Sequence, residues 1–355
     1  MPRCLLLCLT LSLSLGRCED SLYAYYSVED RRANRELTEL FDLLDRNQEK
    51  PELQFVLIQQ ISDVFVTSSY REKQILFLTS WVDSHQHDPY NAFYLLMVAE
   101  SYEALQAATF AVHYYERVLK NHPDLIVQAT SIHFYCLKRL LELDSSSERR
   151  IEYYKELISR FYDSIDPGST YYFLALLYEQ IGEWDQAIQA FKKFLQFPES
   201  QIPGFPGAYK LVKLKVDFHN ADKSWTVPEL QTLLAEVKRA IWTKNPQRLL
   251  QFRAKVGFFV KSWERGGGAL DNRDYESPDF DISSFLLRSR VLIDSELSSD
   301  SSEKEAFLRT TGWHTTQWVY RIPTWYLYFR RVDYRADPEI DGRWEWAGIY
   351  FGEKL

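Results

Sequence analysis

Ala175-Leu-Leu-Tyr178-Glu-Gln-Ile-Gly182-Glu-Trp184-Asp-Gln-Ala187-Ile-Gln-Ala-Phe191 reads as two short helices closed by a tight turn. Apolar residues recur three and four positions apart on both sides of Gly182, the spacing of one helical face. Gly182 sits at the turn, where the chain needs backbone freedom. Ala187 is small enough to let the two helices approach, Tyr178 and Phe191 fill the space between them, and Pro198 ends the second helix. Trp184 lies in the turn. The same pattern stands 76 residues upstream as Ala99-x-x-Tyr102, Ala111-x-x-x-Tyr115 and Pro123, with the last proline offset by one.

Two such units separated by two periods of about 38 resemble the tetratricopeptide repeat, a helix–turn–helix unit of about 34 residues. The midpoint predicts a third copy. There Tyr153 and Tyr154 take the aromatic position, Leu157 follows on the same face, and Arg149 and Arg150 replace the small residue. Asp144-Ser-Ser-Ser147 reads as a lengthened turn that accounts for the longer period. A degenerate helix pair is expected from Pro51 to Ser84, which sets the repeats at residues 51–201. Before them, residues 18–50 form an arm and a helix striped by Leu37, Leu40, Phe41 and Leu44. The resemblance implies stacked helix pairs with a concave surface for peptides or partner proteins, and no catalytic repeat residue.

The amino terminus reads as an export signal. Arg3 supplies the charge, Leu5 to Leu15 form an apolar stretch too short to span a membrane, and no acidic residue precedes Glu19. Two cleavage readings stay open. Ser14-Leu15-Gly16 suits an ordinary signal peptidase. Leu15-Gly16-Arg17-Cys18 resembles the relaxed lipobox of spirochaetal lipoproteins, with Arg17 where a small residue is usual. That resemblance implies a signal peptide over residues 1–17 and lipidation at Cys18. Cys136 is then a lone thiol on an apolar helical face, read as a buried small hydrophobe.

Ile202-Pro203-Gly204-Phe205-Pro206-Gly207 breaks the repeats, so residues 202–225 read as a linker with a capping helix from about Ala208 to His219. Residues 226–355 read as an aromatic-rich α+β module. Thr226-Val227-Pro228 predicts a helix to about Thr243, and Asn245-Pro246 a second one carrying Leu249, Phe252, Val256, Phe259 and Val260, ended by Arg265 and Gly266-Gly267-Gly268. After Asp281 the period shifts towards two, and strands are expected over Thr316–Ile322, Thr324–Tyr334 and Arg343–Phe351. An antiparallel sheet on two helices resembles, in outline, the cystatin-like or nuclear-transport-factor-like cone. Trp318, Trp325, Trp344 and Trp346 belong either to its core or to a pocket for an apolar or glycan ligand. The Trp faces are expected to turn towards the helix of Phe252, Val256 and Phe259.

Catalytic and metal chemistry finds little support. Gly266-Gly267-Gly268 lacks the Lys-Ser/Thr of a phosphate loop. Asp271, Asp274, Glu276, Asp279 and Asp281 break the calcium-loop pattern at Arg273 and Tyr275. His85-Gln86-His87-Asp88 lies in a turn, and His314 has only Asp294 and Ser295 to form a triad. The 355 residues carry a net charge of −8, which argues against nucleic acid. The expectation is a mainly α protein with repeats followed by a smaller α+β module. It would be a non-enzymatic cell-envelope lipoprotein without cofactor or metal, binding an envelope protein or peptide through the repeats and the membrane through its lipid. The alternative is a small-ligand carrier.

Overall fold

The computed structural model describes residues 24–262, 281–314 and 324–353. The chain divides into two compact units, residues 1–161 and 162–355. The signal peptide, Cys18, Trp318, the triple glycine, the predicted strand Thr316–Ile322, and Asp271, Asp274, Glu276 and Asp279 lie outside the described residues. Among the described residues no helix is long and apolar enough to cross a membrane.

The first unit is helical: α1 (Arg31–Arg46), α2 (Pro51–Thr67), α3 (Arg71–Ser84), α4 (Asn91–Ala104), α5 (Ala108–Asn121), α6 (Ile132–Leu143) and α7 (Ser147–Arg160). Several starts are encoded by short polar side chains. Asp30, Ser131 and Ser146 each accept a bond from the backbone N–H three residues on, satisfying a donor the helix cannot. Pro51 opens α2, where its missing N–H costs nothing.

The α2–α3 and α4–α5 turns share one device. The N–H of Tyr70 bonds to the carbonyl of Phe65, and the N–H of Ala107 to that of Tyr102. The residue just before each donor is left-handed, Ser69 at φ 67° and Gln106 at φ 58°. The predicted long turn at Asp144–Ser147 is not long. Only Asp144 to Ser146 separate α6 from α7, as Leu105 to Ala107 separate α4 from α5. The extra length lies between α5 and α6, where His122 to Ser131 include a two-residue hairpin, β1 (Ile126–Val127) with β2 (Thr130–Ser131).

Helices α2, α4 and α6 make one layer and α3, α5 and α7 the other. Phe55 of α2 meets Phe93 of α4 edge-on at 5.2 Å. On the other layer Arg117 of α5 pairs with Asp83 of α3 at 2.8 Å, and Tyr153 of α7 donates to Glu116 of α5 at 2.7 Å. Between the layers runs a buried polar chain in which Ser101 donates to Gln74 and Gln74 to Ser62. Each group is partnered, so the chain fixes the register of α2, α3 and α4 without stranding a donor.

The second unit begins with α8 (Pro167–Gln180), α9 (Trp184–Phe194) and α10 (Ala208–Asn220). It continues through α11 (Leu230–Trp242), α12 (Pro246–Gln251) and α13 (Ile282–Arg288). Its strands are β3 (Phe259–Ser262), β4 (Leu292–Ile293), β5 (Glu305–Thr311), β6 (Trp325–Arg331) and β7 (Trp344–Phe351). The sheet order is β3-β7-β6-β5-β4, antiparallel except for β3, which runs parallel to β7. Leu233, Leu234, Val237, Ala240 and Ile241 of α11 and Ile282, Phe285 and Leu286 of α13 pack on one face of this sheet.

Three expectations are corrected here. The helix predicted from Thr226 starts at Leu230, because Val227 exchanges both backbone bonds with Trp344 and is held extended. The second helix stops at Gln251. Ala254 N–H bonds to the Trp346 carbonyl, and Gly257 at φ 67° turns the chain into β3, so Phe259 and Val260 are strand residues. Strand β5 was not expected at all. It alternates Ala306, Leu308 and Thr310 inward with Glu305, Phe307 and Arg309 on the other face.

Candidate protein-interaction surface

The hairpin α8–α9 is built around small residues. Ala175 and Ala187 are buried where the helices cross, with Tyr178 and Phe191 buried beside them. Gly168 belongs to the same scheme. A Cβ there would sit 2.0 Å from Ser200 Oγ and 2.8 Å from Phe197 Cβ, so glycine is the residue that fits against the turn after α9. Gly182 is different: a Cβ would meet nothing, but φ is 82°. Its requirement is conformational, and Glu183 N–H closes the turn on the Tyr178 carbonyl.

The upstream copy keeps the buried positions and changes one. Ala99, Ala111 and Tyr115 are fully buried. Tyr102 is half-buried and stacks on Phe110 at 5.2 Å and Tyr114 at 5.4 Å of α5. In the midpoint copy Tyr153, Tyr154 and Leu157 are all buried. The prolines terminate neither helix directly. α5 ends at Asn121 and α9 at Phe194, ahead of Pro123 and Pro198. Trp184 is the first residue of α9 rather than a turn residue.

The layer α2, α4 and α6 carries the most distinctive side chains of the first unit. At one end Phe55 stacks on Tyr90 at 4.2 Å and meets Phe93. Met97 follows Phe93 one helical turn on, half-buried. At the other end Glu103 accepts from Tyr115 at 2.6 Å and is gripped by the Arg139 guanidinium, which also pairs with Glu142. Burial opposes ionisation of Glu103, but the bonds from Arg139 and Tyr115 outweigh it and hold its carboxyl below the usual range. Beside it burial raises Glu100, with Tyr135 opposing, while burial and then Glu100 push Tyr135 up to about 12. The result is a strip with aromatic, thioether and charged groups in sequence, fixed by bonds between helices far apart in the chain. Sequence reasoning missed Glu103 and Arg139. The available signal was opposite charge on successive first helices of the repeats.

The remaining candidates resolve into structural roles. Of the two readings of the tryptophans, core or pocket, Trp325, Trp344 and Trp346 are buried in a core formed with α11 and α13, against which Phe252 and Val256 also pack. Trp325 stacks on Trp313 at 4.2 Å, Trp313 Nε1 donates to Thr310, and Trp346 Nε1 donates to the Gly348 carbonyl. His85 stacks on Trp81 at 3.8 Å while Asp88 accepts from Trp81 Nε1, so this motif closes the α3–α4 turn. Asp294 pairs with Arg309, and the His314 backbone N–H bonds to Ser289, so the structure does not assemble a triad. Cys136 is buried, and burial pushes its thiol up, away from reactivity.

The tetratricopeptide-repeat family model matches residues 170–200, most of α8, all of α9 and the segment that follows it. No curated protein matches the chain. Among solved structures, MamA is similar at 21% identity, covering 45% of this chain and 84% of that one, with a TM-score of 0.29. The chain is mainly helical, with tetratricopeptide-like helical repeats, one of which the family model matches, and a carboxy-terminal module dominated by antiparallel strands.

Proposed function

We propose that the chain is a non-catalytic scaffold of the cell envelope, holding a protein or peptide partner against the α2–α4–α6 layer and tethered through a lipid on Cys18. The observation that carries this reading is the cross-helix fixation of that layer. Glu103 and Arg139 join α4 to α6, and Phe55 joins α2 to α4. Such bonds pre-order side chains, which lowers the entropic cost of binding. Half-buried Phe93, Met97 and Tyr135 provide the aromatic and thioether character that interface centres favour, with Lys138 and Glu142 as a polar rim.

The export signal and the lipobox-like Leu15-Gly16-Arg17-Cys18 support the envelope location. The experiment is comparative purification from detergent-solubilised cells. Wild type is expected to retain a stoichiometric protein partner that Met97→Asp loses and that Lys193→Asp, on α9, retains. Equal retention by both variants would contradict the reading.

A further inference from the structure

A cleft of about 550 Å³ in the second unit lies between α10 and the segment that follows α12. Its charged lining is one-sided: Lys210, Lys213, Arg253 and Lys255 against Asp217. Lys213 pairs with Asp217 at 2.6 Å, and Lys255 with Asp222 at 3.0 Å. Arg253 is the exception. Among the described residues its guanidinium meets no carboxylate and donates to no side chain or carbonyl, although it is partly withdrawn from water.

That withdrawal is built in. The guanidinium lies 4.3 Å from the centre of the Phe258 ring, and Phe258 meets the buried Trp346 edge-on at 5.2 Å. The backbone of the same segment is pinned to β7 through the Arg253–Trp346 bridge and the Ala254–Trp346 bond. Burial accordingly holds the group below the usual arginine range. A charge partly withdrawn from water with no carboxylate beside it carries a desolvation cost. The cation–π contact offsets part of the cost and leaves the N–H fork for another partner.

We propose that this cleft binds a phosphate ester, with the phosphate on the Arg253 fork and the organic part against Leu214, Leu250 and Val256. A planar fork matches phosphate oxygens bidentately. The side chains of Lys210, Lys213 and Lys255 line the same cleft, so a group with several oxygens meets positive charge on more than one side. The volume falls within the roughly 300–1,000 Å³ of small-molecule sites and far exceeds what a bare ion needs. The ester is either a soluble metabolite or a lipid headgroup.

The test uses the chain with Cys18→Ser, so that no acyl group contributes. Glycerol 3-phosphate is titrated by calorimetry, and flotation is measured with phosphatidylcholine vesicles with and without phosphatidic acid. In parallel, phenylglyoxal modification of Arg253 is followed by mass spectrometry, which needs no substitution. Saturable binding of either probe is expected, with Arg253 protected by the probe that binds. Arg253→Met should weaken binding at least about tenfold, and the exposed-site control Arg335→Met should not. Glycerol 3-phosphate binding identifies a soluble ester, and binding confined to phosphatidic acid vesicles identifies a headgroup. Arg253 modified at the same rate with and without both probes, or Arg253→Met binding like wild type, would overturn the proposal.

Discussion

The indole N–H of Trp225 donates to Glu345 Oε2 at 2.6 Å, although both side chains are almost wholly withdrawn from water. Arg330 holds the other carboxylate oxygen, Nε to Oε1, also at 2.6 Å. Glu345 alternates with Trp344 and Trp346 on β7, and Trp225 covers the face it would otherwise expose. Glu345→Ala leaves the Trp225 donor unpaired in the core, while half-exposed Arg330 recovers water. The expected loss is about 2–3 kcal/mol in urea unfolding, with Glu345→Gln losing less because it keeps an acceptor for the indole.

Gln106 and Gly182 occupy the same place in their turns, at φ 58° and φ 82°. A side chain in that conformation is strained, and glycine is not. Gln106→Gly should stabilise the protein by about 0.5–1 kcal/mol, and Gly182→Ala should destabilise it by about 1 kcal/mol. Urea midpoints that move the other way would show that these turns do not limit stability.

Ala187 of α9 is buried, as are Phe191 and Tyr178 of the same hairpin. Ala187→Trp is expected to cost about 1–3 kcal/mol or more through overpacking. An unchanged melting temperature would remove the close crossing of α8 and α9 as a determinant of this hairpin.

His133 supplies an acid-sensitive element in the first unit. It is buried, with Nε2 3.0 Å from the His122 carbonyl and Nδ1 2.7 Å from Arg160 Nη2. Burial, with the Arg160 charge reinforcing it against Asp124, lowers its pKa. The folded state therefore binds the proton less readily than the unfolded chain, whose histidines titrate near about 6.5. Stability should be fully present above that value and fall as pH drops below it. His133→Gln should flatten this part of the urea midpoint against pH curve. A second loss is expected below about pH 4, where Glu103, Glu116 and Asp144, each held below its usual range, must take up protons.

The proposed anchor has its own readout. Metabolic fatty-acid label should enter the wild-type chain, and Cys18→Ser should abolish the label and move the protein into the soluble fraction. Firm attachment needs more than one acyl chain, since a single one binds only marginally. Absence of label from wild type would leave the scaffold as a free exported protein.

The hairpins were legible because their determinants are local. Gly182, Ala187 and Phe191 lie within one turn–helix stretch, and the helix pair expected over Pro51–Ser84 coincides with α2 and α3. The turn at Gln106 was hidden, since a glutamine in left-handed backbone carries no signature until the bond from Ala107 to Tyr102 is seen. Strand β3 was misread because Phe252, Val256, Phe259 and Val260 fit a helical face as well as a strand, and the breaker was the single Gly257. The surface was the least legible part. Glu103 and Arg139 are ordinary exposed charges in sequence, and only the stacking of α4 on α6 makes them a pair. Arg253 was hidden in the same way, because its isolation depends on where the partners of the neighbouring lysines lie.

The central claim is that the α2–α4–α6 layer of the first unit holds a protein partner. It is tested most directly by placing a photo-crosslinking amino acid at single positions of the full-length chain in the cells that make it. Met97 and Lys138 lie on that layer, and Lys120 and Lys155 lie on α5 and α7 of the other. Irradiation is expected to join one discrete protein to the chain from positions 97 and 138, and not from 120 and 155. No discrete product from 97 and 138, or the same product from all four positions, would contradict the account.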